Sequence, residues 1–296
     1  MLAPHAKIAV VAPAGPFVPE RLTSAWKELA AADLQLIESP NLYAVHRYLA
    51  GAIDQRVADL TWALTAADLD AVWYARGGFG TTQLLAHLPW EGLKVRPTIG
   101  FSDATALLTA LYARGLPAIH GPVLQGMADP ALTFSRGVTV DAQSREAILN
   151  LLLNDVLPAL PGQLLCGPCN PIQAPITGGN LCVLASLVGT SFQAQTRNHI
   201  VLLEDTGEPP YRVDRLLTQL IQAGGLAGAV GVALGDFDGC EAKNADYTVH
   251  DVLRELLEPL NIPVLWGLPF GHTPRNIAFR YGARAQLSEH GLTFPS

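Results

Sequence analysis

Three residues have the types that nucleophilic hydrolysis needs and lie where turns would expose them: Ser102, Glu204 and His272. Ser102 falls in Pro97-Thr-Ile-Gly-Phe-Ser-Asp-Ala-Thr105, where a short β-prone run ends at a serine and a helical pattern begins at once. A tight strand-to-helix turn of this kind lifts a serine hydroxyl above the end of a sheet. The first N–H groups of the helix then point at whatever the hydroxyl attacks. The same layout suits a plain helix N-cap, so the turn alone leaves Ser102 with two roles. A serine nucleophile needs a base, which histidine provides best near neutral pH. That base needs a carboxylate to hold its tautomer and stabilise the imidazolium. Glu204 ends the apolar run Ile200-Val-Leu-Leu-Glu204, and His272 closes Gly267-Leu-Pro-Phe-Gly-His272. Each has a plain alternative: Glu204 as a helix-capping acid or a partner of Arg212, His272 as a loop histidine. His120, at the end of Ala118-Ile-His120, is a second candidate base or a residue lining the substrate pocket.

A further strand-to-helix turn, Arg76-Gly-Gly-Phe-Gly80, brings glycines whose backbone can approach a ligand closely and expose N–H groups. It lacks both the G-x-G-x-x-G and the G-x-x-x-x-G-K-[ST] spacing of phosphate cradles. Just upstream of the Ser102 strand, it is placed to supply a second oxyanion donor; a tight structural turn explains it equally well. Cys166-Gly-Pro-Cys169 has the sequence of a thioredoxin-type redox pair, but prolines follow where that site needs a helix. With only Cys182 and Cys240 besides, a zinc site lacks ligands, and a surface turn is the favoured reading.

The elements that must position these residues alternate between strand-like and helix-like, which predicts α/β architecture with largely parallel sheets. Strands are expected at Lys7 to Ala12, Leu34 to Ile37, Ala71 to Ala75, before Ser102, and at Ala118 to Val123. Helices are expected at Arg21 to Ala32, Asp54 to Leu64, Thr81 to His87 and Ala104 to Arg114. Between Gly126 and Gln173 the alternation lapses, apart from a helix at Ser144 to Asn154. It resumes with Ala174 to Asn180 and a helix at Leu181 to Val188. Strand and helix then follow in turn to Trp266, and the segment from Asn276 to Phe294 reads as an antiparallel pair. The expectation is therefore two domains: 1–125 carrying the serine, a linker zone 126–173, and 174–296 carrying the glutamate and histidine. A site built from all three would exist only in the cleft between them.

With 296 residues, 49% of them hydrophobic and 15% charged, the chain can bury sizeable cores and does not read as disordered. A net charge of −7 without a basic run argues against nucleic acid as a partner. Mean hydropathy is +0.25, yet every apolar run is broken by Gly, Pro or charge, so no membrane span is expected. The N-terminus lacks a charged segment leading into a long apolar one, and a cytoplasmic protein is the expectation.

Taken in order, several motifs resemble the LD-carboxypeptidase family of serine peptidases, which includes the microcin C immunity-type hydrolases. They are Ala12-Pro-Ala-Gly-Pro16, Ala75-Arg-Gly-Gly-Phe-Gly80, Gly100-Phe-Ser-Asp103, Ile176-Thr-Gly-Gly-Asn-Leu181, Leu203-Glu-Asp205, Tyr211-Arg-Val-Asp-Arg215 and Gly267-Leu-Pro-Phe-Gly-His272. The resemblance covers nearly the whole chain and implies an N-terminal and a C-terminal α/β domain. It implies Ser102 as nucleophile, His272 as general base and then acid, and Glu204 as the orienting carboxylate. The backbone N–H groups of Gly78 and Asp103 would form the oxyanion hole. It also implies a cytoplasmic, commonly dimeric enzyme without metal or cofactor that removes the terminal D-alanine from murein tetrapeptides during cell-wall recycling. Phe79 stands where tyrosine is frequent in the family.

The partner expected is thus a small peptide ending in a D-amino acid, and Arg76 is the candidate to grip its free carboxylate, since a guanidinium binds carboxylate in a bidentate way. Two other readings stay open. One is an immunity-type hydrolase cleaving peptidyl- or aminoacyl-nucleotide analogues, for which Trp73, Trp90 and Trp266 could stack a base or simply be core. The other is a non-catalytic protein whose two lobes close on a small molecule.

Overall fold

The computed structural model describes residues 1–129, 138–168, 170–242 and 246–295. The first sheet is built from short apolar runs of the kind that parallel strands buried on both faces require. Its strands are β1 (Lys7–Val11), β2 (Gln35–Glu38), β3 (Ala71–Tyr74), β4 (Thr98–Gly100) and β5 (Ala118–His120). They are joined by helices α1 (Pro19–Ala31), α2 (Ile53–Thr65), α3 (Thr81–Leu84) and α4 (Thr105–Tyr112), and all five strands run parallel. Because β3, β4 and β5 are neighbours with a common direction, the turns that follow them, at Arg76–Gly80, Ser102 and His120, open on one edge of the sheet.

After α5 (Ala142–Asn154) the chain enters a second sheet. Its strands are β6 (Leu160–Pro161), β7 (Gln163–Cys166), β8 (Ile172–Asn180), β9 (Ile200–Thr206), β10 (Gly231–Asp238) and β11 (Val264–Trp266). Helices α6 (Leu181–Leu187), α7 (Pro210–Gln222) and α8 (Val249–Leu257) lie between the later strands. The chain ends in β12 (Phe279–Arg280), β13 (Arg284–Ser288) and β14 (Gly291–Thr293). The order is β6-β14-β13-β8-β9-β10-β11-β7, with β8 to β11 parallel and the outer strands antiparallel.

Two features differ from the sequence reading. The stretch 126–173 is more than a connection: Leu160 pairs with Leu292 at one edge of the second sheet and Gln163 with Trp266 at the other. Since so few residues separate them, the sheet must curl until its edges meet. The expected antiparallel pair is β13 with β14, whereas Phe279–Arg280 turns back and pairs antiparallel with His120 and Ile119 of the first sheet.

One apolar cluster crosses from α4 (Leu107, Leu111) into the second sheet (Ile176, Leu202, Leu287), so the two halves share a core. Among the described residues no helix is long and apolar enough to cross a membrane.

Candidate active site

Ser102 leaves β4 with φ of +62°, in the left-handed region. An L-residue enters that region at a cost of about 1–2 kcal/mol, and such strain persists where the surroundings enforce it. A short 3₁₀ turn, Ser102–Ala104, then leads into α4. The Asp103 side chain turns inward, where it is buried and accepts the Thr81 N–H at 2.8 Å. Burial raises its pKa above the ordinary carboxylate value, against the pull of the Thr81 and Gly80 N–H bonds. Its own backbone N–H opens the helix and has no carbonyl one turn earlier to bond.

Beside this turn lies the glycine turn after β3. A Cβ on Gly77 would stand 3.0 Å from Ser102 Cβ and 3.2 Å from Ser102 Oγ, so only glycine admits the serine this closely. The Gly77 carbonyl accepts the Gly15 N–H at 3.1 Å. In a trans peptide the next N–H points the opposite way, so that of Gly78 is directed away from Gly15. The turn is anchored from beneath by Arg56, buried on α2, which donates to the carbonyls of Pro13 (2.8 Å), Gly80 (3.1 Å) and Gly51 (3.2 Å) and to Gln83 Oε1 (2.8 Å).

The second half of the site comes from the other sheet. Glu204, on β9, is fully buried, and its Oε2 lies 2.6 Å from His272 Nδ1. His272 Nε2 lies 3.0 Å from Ser102 Oγ. To reach Glu204, the segment after β11 must pass over β10. It does so where Gly235 has no side chain, since a Cβ there would meet the Phe270 carbonyl at 2.3 Å. Gly271, at φ +134°, gives the carboxylate room in the same way, as a Cβ would fall 3.3 Å from Glu204 Oε2.

Burial alone would push the His272 pKa down, but the charge and hydrogen bond of Glu204 override it and hold the ring above its ordinary value of 6.5. Burial of Glu204 likewise favours its neutral form, and the His272 partner holds it below the ordinary value instead. The three groups stand in the hydrogen-bond order of hydroxyl, imidazole and carboxylate that generates an alkoxide-like nucleophile at neutral pH. Ser102 and His272 open on a cleft of about 380 Å³ lined by Arg76, Gly78 and Val140 on one side and by Thr206, Asp238 and Thr273 on the other.

Residues 8–121 match the LD-carboxypeptidase N-terminal domain, and residues 173–287 match the LD-carboxypeptidase C-terminal domain. The murein tetrapeptide carboxypeptidase of Pseudomonas aeruginosa is 35% identical over 97% of this chain and 94% of its own. The chain belongs to the LD-carboxypeptidase family. The probable murein peptide carboxypeptidase of Bacillus subtilis is 32% identical over 95% of this chain and 88% of its own. The crystal structure of the Oxalobacter formigenes muramoyltetrapeptide carboxypeptidase superposes with a TM-score of 0.81 at 28% identity, covering 98% of this chain and all of that one. The fold is shared more widely: MccF in complex with glutamyl sulfamoyl guanosine gives a TM-score of 0.87 at 19% identity, over 100% of this chain and 97% of that one.

Within this LD-carboxypeptidase the structure brings together Ser102, Glu204, His272, Gly78, Asp103 and Arg76, whose Nη1 donates to the Pro16 carbonyl. Arg212 pairs with Glu208 rather than with Glu204. His120 departs from its expected place. It is wholly buried behind Phe101, stacks on Phe279 and is not among the residues that line the cleft. None of the three tryptophans lines the cleft: Trp73 is core, Trp266 packs on His250, and Trp90 lies under Arg114. Cys166 is buried as a free thiol at the end of β7, and Cys169 lies outside the described residues.

Several supporting residues escaped the sequence reading. Asp205 is one: it accepts the Cys182 N–H (2.9 Å) and the Asn180 amide (3.0 Å), and burial beside Glu204 raises its pKa to about 6. Asp236 is another, accepting the Thr273 hydroxyl at 2.6 Å next to the base. Arg56 did leave a trace, since it lies four residues before Leu60 on the buried stripe of α2, where a charged side chain must serve something inside.

Proposed function

We propose that this LD-carboxypeptidase is serine-dependent and hydrolyses the L–D peptide bond before the terminal D-alanine of murein tetrapeptides. The observation that carries the reading is the unbroken Ser102–His272–Glu204 hydrogen-bond chain at a cleft between two domains. As Ser102 Oγ attacks the scissile carbonyl carbon, His272 Nε2 takes its proton. The tetrahedral oxyanion receives hydrogen bonds from the N–H groups of Gly78 and Asp103. Collapse breaks the C–N bond, and the proton on His272 goes to the departing D-alanine amine. Water then attacks the ester with His272 as base, and the hydroxyl of Ser102 is regenerated. Arg76 holds the free carboxylate of the leaving residue, which makes the cut an exopeptidase one. Family membership supports a cytoplasmic homodimer acting without a metal or cofactor.

The test compares murein tetrapeptide, its C-terminal amide and a peptidyl-sulfamoyl adenosine, with wild type and Arg76→Ala. D-alanine release from the tetrapeptide is expected. Arg76→Ala is expected to raise KM for the acid by about tenfold or more while changing the amide little, as the loss of a charged hydrogen bond implies. Equal losses on both peptides would remove Arg76 from this role. Turnover of the nucleotide conjugate alone would overturn the murein assignment in favour of an immunity-type hydrolase. No turnover of any substrate would leave a binding protein.

A further inference from the structure

His120 is a fully buried histidine beside the catalytic base, and the reaction scheme above gives it no part. We propose that His120 is a positioning residue: with its proton on Nε2 it donates to Asn276 Oδ1, and through that amide it fixes the turn that carries His272. The inference rests on the triad reading given above.

The orientation of the amide follows from its other partner. The Gly271 N–H, which can only donate, lies 3.2 Å from Asn276 Oδ1, so the oxygen and not the nitrogen must occupy that position. His120 Nε2 lies 3.1 Å from the same oxygen and must therefore carry a proton. The opposite tautomer would set two lone pairs against each other. It would also bury an N–H at Nδ1, where no hydrogen-bond partner is found among the described residues. Burial depresses the pKa of this ring to about 4, so it stays neutral and keeps that single proton through the neutral range.

The ring itself is fixed. It lies flat on Phe279 at 4.5 Å and meets the edges of Phe101 and Phe270 at 5.8 and 5.7 Å. Phe101 in turn packs against the His272 ring at 4.8 Å. Asn276 is held from a third side, its N–H donating to Ser144 Oγ of α5 at 2.9 Å. Asn276 thus ties the first sheet, through its side chain, and α5, through its backbone N–H, to Gly271, the residue directly before His272. Gly271 sits at φ +134°, which glycine enters freely, so its contacts rather than its own backbone preference must fix it. An error of about 1 Å at the base costs about 10²-fold in rate.

The experiment uses the full-length protein with His120→Phe, which keeps the stacking and loses the donor, and His120→Gln, whose amide nitrogen falls near the position of Nε2. Thermal unfolding and the kcat and KM for D-alanine release are measured. His120→Phe is expected to stay folded and to lose about 10²-fold in kcat with KM within about twofold, and His120→Gln to recover most of that loss. Should the Phe variant fail to fold, His120→Asn, whose amide nitrogen falls near Nδ1 instead, takes its place against Gln. Wild-type kcat in the variant lacking the donor, an equal loss in Gln, or a loss confined to KM would overturn the proposal. Ser102→Ala in the same assay separates the two claims. If it still turns over, the triad reading fails; if it is dead while His120→Phe is fully active, only the positioning role fails.

Discussion

At the scale of single residues, the proposed mechanism makes the Glu204–His272 pair set both geometry and working pH. Burial pulls the two groups toward their neutral forms, yet their mutual charge and the 2.6 Å bond move the histidine up and the glutamate down. His272 acts as a base only when neutral. Activity is therefore lost as pH falls through its raised pKa, and the acid limb of kcat/KM is expected to inflect above 6.5. In Glu204→Gln the largest opposing charge is gone and burial stands against only the lesser pull of Asp205 and Asp238, so the inflection is expected to move to lower pH. The kcat should fall on the order of 10⁴-fold, as when a triad carboxylate is neutralised. A pH–rate profile of both proteins checks this, and an unmoved inflection would show that another group governs the acid limb. Ser102 shows the same dependence on its surroundings, since a left-handed serine survives only because β4 and α4 enforce it.

At the scale of elements, the site is a meeting of turns. β3 and β4 are paired neighbours, which sets the glycine turn against the serine turn, and Gly77 is the contact between them. Gly77→Ala is expected to fold but to push Ser102 off its bond with His272. The loss should approach 10²-fold in kcat, with a larger effect on kcat than on KM. A variant with wild-type kcat would show that the turn tolerates a methyl group. These turns were legible in the sequence because each follows a continuous apolar run, as strands of a parallel sheet must. What stayed illegible depends on partners far along the chain. The two residues of β12 carry no periodicity of their own, and the Pro/Gly-rich stretch around Leu160 to Cys166 becomes two edge strands only because β14 and β11 arrive beside it. The burial of His120 was illegible for a related reason: the ring that covers it, Phe279, returns from the other end of the chain. Asn276 and Asp236 act through loop contacts that no local pattern encodes.

At the scale of the whole molecule, Ser102 and His272 come from different sheets, so under the proposed mechanism the interface between the two halves is part of the catalyst. Domains joined by small polar contacts move as a rule, whereas a large apolar interface holds them together. Here α4 packs into the core of the second sheet, the Asn180 N–H donates to Thr105 Oγ1 at 3.1 Å, and the buried Tyr281 hydroxyl donates to the Gly178 carbonyl at 2.8 Å. β12 adds a strand from the C-terminal end of the chain to the first sheet. These ties hold Ser102 within hydrogen-bond reach of His272 across the two sheets. The most direct measurement is the rate of D-alanine release from murein tetrapeptide by wild type and by Ser102→Ala with an unchanged unfolding transition. A loss on the order of 10⁴-fold or more is expected from removing the nucleophile. Turnover within about tenfold of wild type would contradict the assignment of Ser102 and, with it, the cross-domain site.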